Sequence, residues 1–162
     1  MRWCFARVLV PAPAGRQRFN VLGALKAITH EVVTVTNDTY INAASVCELL
    51  RRVVSLQLGV PITLVLDHAR YQKCHLVQSL AATLQIELLY LPPYSPNLNL
   101  IERLWKFVKK QCLYSIDYAN FTDFKSAISE CLAQTQTTYK QELNTLLTLR
   151  FQTFKKSQFM TL

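Results

Sequence analysis

The sequence predicts a single α/β domain, on three observations: β-rich runs alternate with amphipathic helical segments, two short apolar runs carry no helical period, and the chain has one core's worth of apolar residues. At 162 residues with 51% hydrophobic content, the chain is long enough for one globular core and short for two. Residues 1–162 are therefore expected to form one domain.

The elements follow in order. Residues 18–25, RFNVLGAL, and 31–36, EVVTVT, are β-rich and joined by the short connection KAITH, which predicts antiparallel neighbours. From Asn42 the period changes, and Val46, Leu49, Leu50, Val53 and Val54 recur at helical spacing with Arg51 and Arg52 on the other face. This helix is expected to end by Gly59. Pro61 opens ITLVL, a continuous apolar run that predicts a strand covered on both faces and that terminates in Asp67. A second helix is expected with Leu76, Val77, Leu80, Ala81 and Leu84 on its buried side, then IELLYL (86–91) as another strand buried on both faces. A third helix carries the apolar stripe Ile101, Leu104, Trp105 and Val108. Two apolar strands separated by a helix predict a right-handed βαβ unit with parallel strands.

Composition narrows the function. Eighteen Lys and Arg against ten Asp and Glu give a net charge of +8, which favours a polyanionic partner such as nucleic acid, although solubility alone explains part of it. Cys4, Cys47, Cys74, Cys112 and Cys131 show no C-x-x-C spacing and fall mostly in apolar runs, which argues against a zinc knuckle or a disulfide framework and fits a reducing cytosol. The start MRWCFARVLVPAPAG mimics a secretory leader, but Arg7 breaks its apolar run into pieces shorter than the ~7–15 residues such a leader needs. No run approaches the ~20 apolar residues of a membrane span. A soluble cytoplasmic protein is expected, with no membrane partner.

The densest stretch is LPPYSPNLNLIERLWKFVKK, residues 91–110. Ligands of open α/β sheets gather beyond the carboxyl ends of the strands, and both Asp67 and the 92–102 loop leave their strands there. Asp67 and Glu102 are thus placed to converge, although 34 residues lie between them. Two carboxylates in a basic protein suit a hard divalent cation such as Mg²⁺, which takes oxygen ligands and substrate phosphates. A structural reading of Glu102 stands beside this one: Asn99 as N-cap with Glu102 three residues on forms a capping-box-like start, and Lys106 follows at i+4. Asp67 is harder to explain structurally, because a carboxylate ending a buried apolar run is costly unless paired or metal-bound. His68 and His75 are further candidate ligands, each equally readable as a cap or a surface residue. The Lys109-Lys110 pair also reads as a solvated face.

LVLDHARYQK followed by LPPYSPNLNLIERLWKFVKK resembles the paired signature of the insertion-sequence and mariner-like transposases, whose DDE endonuclease domain has a ribonuclease H-like fold. The likeness extends outward through GRQRFNVLGAL and TLLTLRFQTF, so it covers nearly the whole chain. It implies a mixed sheet with flanking helices, Asp67 and Glu102 as metal-binding catalytic acids, and Mg²⁺ or Mn²⁺ as cofactor. It also implies that Pro93, Ser95, Pro96 and Asn99 shape the loop presenting Glu102, and that Arg103, Lys106, Lys109 and Lys110 hold DNA. The activity implied is metal-dependent cleavage of element ends and strand transfer into target DNA, with homodimerisation or association with an intact transposase. The block SPNLNLIE argues against an unrelated ribonuclease H-like nuclease such as a resolvase.

Two departures qualify this resemblance. In the family the first catalytic Asp lies upstream of the region resembling WCFARVLVPAPAGRQRFNVLGAL, whereas here no acid precedes Glu31. Asp38 follows what is expected to be an edge strand, away from the one carrying Asp67. The expectation is a chain that lacks the first catalytic strand and the N-terminal helix-turn-helix region, with the Asp67 strand exposed along one edge. Its function is then either an incomplete catalytic domain or a non-catalytic remnant that binds DNA or an intact transposase. The second departure is His68, which stands where the family usually has Asn and is expected to alter a loop contact.

Overall fold

The computed structural model describes residues 2–11, 17–93, 95–114 and 116–151. Among these, five strands form one mixed sheet in the order β3-β2-β1-β4-β5. They are β1 (Arg2–Pro11), β2 (Arg18–Lys26), β3 (Val32–Asn37), β4 (Ile62–Leu66) and β5 (Ile86–Tyr90). The meander β1-β2-β3 is antiparallel, and β4 lies parallel to both β1 and β5. The described α-helices are α1 (Ala43–Ser55), α2 (His75–Thr83), α3 (Leu100–Cys112), α4 (Phe121–Ala133) and α5 (Lys140–Leu146), with short 3₁₀ turns between some of the elements. No helix among the described residues is long and apolar enough to cross a membrane.

Strand β2 shows how the sheet is covered. Alternate side chains of a strand point to opposite faces, and here both sets are buried. Phe19, Val21 and Leu25 join the core under α3, α4 and α5, while Leu22 and Ala24 join the core under α1 and α2. The same alternation divides β4, with Leu64 and Leu66 on the α1–α2 side and Val65 on the α3 side. Asp67 is next but one after Val65, so the parity of the strand directs it to the α3 face.

The helices begin where their caps dictate. The Asn42 side chain accepts the Ser45 N–H at 3.1 Å and the Ser45 hydroxyl returns to the Asn42 N–H, which closes a capping box and starts α1. Val46, Leu49, Leu50 and Val53 form its buried stripe. Asn120 caps α4 through the Asp123 N–H at 2.9 Å, and Phe124, Ile128 and Cys131 are buried below.

Three expectations are corrected. The central place in the sheet is filled, because β1 pairs with β2 along Trp3–Pro11 and with β4 through Arg2–Cys4 against Thr63–Val65. The Asp67 strand is therefore not an edge. Residues 86–90 form an edge strand with one covered face: Ile86 is buried, whereas Glu87 and Leu89 are exposed. The cause is the placement of α3, which packs against β1 and β2 and leaves the outer face of β5 bare. Leu76 is 56% exposed on α2, whose buried residues are Val77 and Ala81.

Candidate active site

The site forms at the carboxyl ends of β4 and β5. Leu91 N–H donates to Leu66 O at 2.9 Å, which keeps the two parallel strands together as they leave the sheet. The chain after β5 then turns through Pro93 and the short 3₁₀ turn Pro96–Leu98 into α3. Pro93 is exposed and Ser95 is half-buried, its hydroxyl donating to Pro93 O at 3.4 Å. The Pro96 side chain lies outside the described residues.

Asn99 is the N-cap of α3 by position, and Glu102 N–H donates to Asn99 O at 3.1 Å. The capping box expected between Asn99 and Glu102 does not form, since the Asn99 side chain makes no cap hydrogen bond. Asn99 is fully buried, and its Nδ2 donates instead to Asp67 Oδ1 at 2.9 Å. A short amide at the mouth of the helix thus orients the carboxylate at the end of β4. Such charge-assisted hydrogen bonds are among the stronger side-chain contacts.

Glu102 is the third residue of α3 and half-buried. Burial raises its pKa above the ordinary carboxylate value and the Asp67 charge raises it further, while Lys109 and Lys106 pull it back. Two acids that sense one another in a partly desolvated place make an oxygen-rich, negatively charged pair. Among the described residues no group of three His, Cys, Asp or Glu could hold a metal ion. His68 and His75 therefore do not join the two acids as a ligand set, and His75 packs against Ser79 on α2. Counting on from Trp3 opposite Leu64, the β1 position level with Asp67 belongs to Ala6. Asp38 follows β3, at the far side of the sheet, and pairs with Lys125 at 2.9 Å.

The basic residues after Glu102 separate into two groups. Lys106 and Lys110 are exposed and Lys109 half-buried, along the outer side of α3. Arg103 behaves differently: its guanidinium donates to Thr148 O at 2.8 Å, Arg150 O at 3.2 Å and Leu146 O at 3.4 Å, and stacks over Phe151 at 5.3 Å. Its donors are thus engaged in fastening the chain after α5 to the start of α3.

Two residues at the carboxyl ends of β4 and β5 escaped the sequence reading. Lys73 contacts His68 Nδ1 and lies 5.2 Å from the centre of the Tyr90 ring. Lys73 stands only six residues beyond Asp67, the one available signal, while Tyr90 closes β5 and reads in sequence as part of an apolar run.

A family model described as DDE superfamily endonuclease matches residues 6–125. The uncharacterized protein y4pE/y4sA of Sinorhizobium fredii is 32% identical over 79 residues, 49% of this chain and 54% of that protein. The chain thus spans about half the length of this curated relative. Among solved structures, the HTLV-2 integrase catalytic core domain in complex with magnesium superposes with a TM-score of 0.65 at 14% identity, over 85% of this chain and 86% of that one. The Mos1 transposase catalytic domain with raltegravir and magnesium gives 0.63 at 12% identity, over 95% and 85%. The BIV integrase catalytic core gives 0.61 at 17% identity, over 89% and 94%. At these identities the likeness is one of fold, a ribonuclease H-like mixed sheet with flanking helices. With three quarters of its length matched by the family model, this chain belongs to the DDE superfamily endonuclease family.

Proposed function

We propose that this chain is a transposase catalytic domain that cleaves DNA strands with the help of a divalent cation and transfers the freed end. The reading rests most on the convergence of Asp67 and Glu102 at one sheet edge, with Asn99 bonded to the first and opening the helix that carries the second. The donor chemistry fits Mg²⁺ or Mn²⁺, because both groups are hard carboxylate oxygens and such ions bind through one or two carboxylates plus substrate phosphates. Bound there, the ion would activate a water or 3′-hydroxyl and stabilise the leaving oxygen of an in-line displacement.

The protein's own part is positioning. Asn99 fixes the Asp67 carboxylate, the first turn of α3 presents Glu102, and Lys106, Lys109 and Lys110 face the phosphate backbone. Such phosphate contacts set register without reading sequence. Arg103 acts from within, holding the start of α3 against residues 146–151. Element ends and target DNA are the substrates of this reading, in the cytoplasm, with a second copy or an intact transposase as protein partner.

A second reading, DNA binding without cleavage, is favoured by the acid count, since the described residues supply two carboxylates and no third. The two separate in one experiment. The purified chain is incubated with supercoiled plasmid and Mg²⁺ or Mn²⁺, beside Asp67→Asn. Metal-dependent nicking by the wild type that Asp67→Asn loses supports the enzyme reading, and equal nicking by both sinks it. Salt-sensitive DNA binding with no nicking by either protein supports the second.

A further inference from the structure

We propose that Lys73, held by His68 and Tyr90, is a phosphate-binding residue for the DNA strand that the two acids engage, contributed from the α2 side of the site. The inference rests on the DNA-cleaving reading above and adds to it a second basic arm facing the one on α3.

The turn that carries Lys73 is tightly built. Gln72 N–H donates to Ala69 O at 3.0 Å and Lys73 N–H to Arg70 O at 3.2 Å, which forms the single 3₁₀ turn Arg70–Gln72. Gln72 is 1% exposed, and its carbonyl accepts the Tyr90 hydroxyl at 3.0 Å. The turn after β4 is thereby pinned to the end of β5. Lys73 itself remains exposed.

Its side chain takes an informative path. Asp67 is six residues away, yet the described ion pairs are Lys26–Glu31, Arg52–Glu48 and Lys125–Asp38, and none involves Lys73. The ammonium instead rests 5.2 Å from the Tyr90 ring centre and against His68 Nδ1, and His68 and Tyr90 lie 6.2 Å apart at a tilt of 54°. Neither partner neutralises it. His68 directly follows Asp67, so this contact holds the Lys73 ammonium at the end of β4 on the α2 side, with no ion pair to either acid among the described residues. Arg70, exposed on the same turn, adds a second positive charge. Lys106, Lys109 and Lys110 approach from α3, which covers the opposite face of the sheet from α2. A strand lying across the sheet edge would meet cations on both sides of the acids.

The test measures binding of a fluorescein-labelled DNA duplex to the full chain in EDTA, across a range of NaCl concentrations. Each lost phosphate contact lowers the salt slope by about 0.9. Lys73→Gln is expected to lose about one such contact and Lys73→Arg to keep it, with both variants melting as the wild type does. A Lys73→Gln slope equal to the wild type's, alongside a lowered slope for Lys106→Gln, overturns this inference and leaves the DNA reading standing. A wild type that binds no DNA overturns both.

Discussion

Glu102 carries a conflict between burial and charge, and that conflict has a pH signature. Its raised pKa comes first from desolvation and then from Asp67. A carboxyl whose pKa is higher in the folded chain than in the unfolded one favours folding fully only below its unfolded value. That contribution is lost as pH rises through the folded value. Glu102→Gln is therefore expected to raise the melting temperature at pH 7 and to leave it nearly unchanged at pH 4, read by circular dichroism. A variant that melts lower than the wild type at pH 7 would contradict the assigned cause. At this scale the sequence was only partly legible. Asn99 was correctly placed at a helix start, but a short amide there serves a cap or a distant carboxylate equally well, and only the fold brings Asp67 within reach. Arg103 shows the same limit, since a basic residue in a basic run looks like a DNA contact until the carbonyls of residues 146, 148 and 150 surround it.

Helix α3 is fixed to the sheet by one tight meeting. A Cβ added at Gly23 on β2 would stand 2.8 Å from Cζ2 and 2.9 Å from Cη2 of Trp105, and 3.2 Å from Cδ1 of Ile101. Trp105 is 2% exposed, so its ring has nowhere to retreat. Gly23→Ala is expected to cost about 1–3 kcal/mol through overpacking, measured by urea unfolding. An unchanged midpoint would show that α3 can shift outward freely. The elements with strong periodicity, α1, β4 and α3 above all, were legible because one-sided or continuous apolar patterns translate directly into burial. Strand β1 was not, because Arg2, Arg7 and Pro11 interrupt its apolar run and only pairing with β2 and β4 makes it a strand. Helix α4 went unread although Phe124, Ile128 and Cys131 carry its helical spacing. The two-sided burial expected for β5 failed because its hydrophobicity could not reveal that it ends the sheet.

The sheet as a whole is unevenly laced. Strands β1 and β2 pair along Trp3–Pro11, and β2 and β3 along Asn20–Asn37 and Leu25–Val32, all within a short stretch of chain. The join between β1 and β4 spans only Arg2–Cys4 against Thr63–Val65 and closes a long loop. A short ladder opens at lower free energy than a long one at the centre of a sheet. Amide exchange in Arg2–Cys4 is accordingly expected to precede that in Val21–Leu25, measured by hydrogen–deuterium exchange. Equal protection in the two segments would show that the sheet opens as one unit.

That seam gives the Asn99–Asp67 hydrogen bond a mechanical meaning. Asp67 travels with β4, on one side of the seam, while Asn99 and Glu102 travel with α3, which packs on β1 and β2 on the other. The 2.9 Å bond is a rivet across the shortest strand pairing of the described sheet. A cation held by Asp67 and Glu102 together would be a second rivet, so the two halves of the sheet would breathe less once the site was filled.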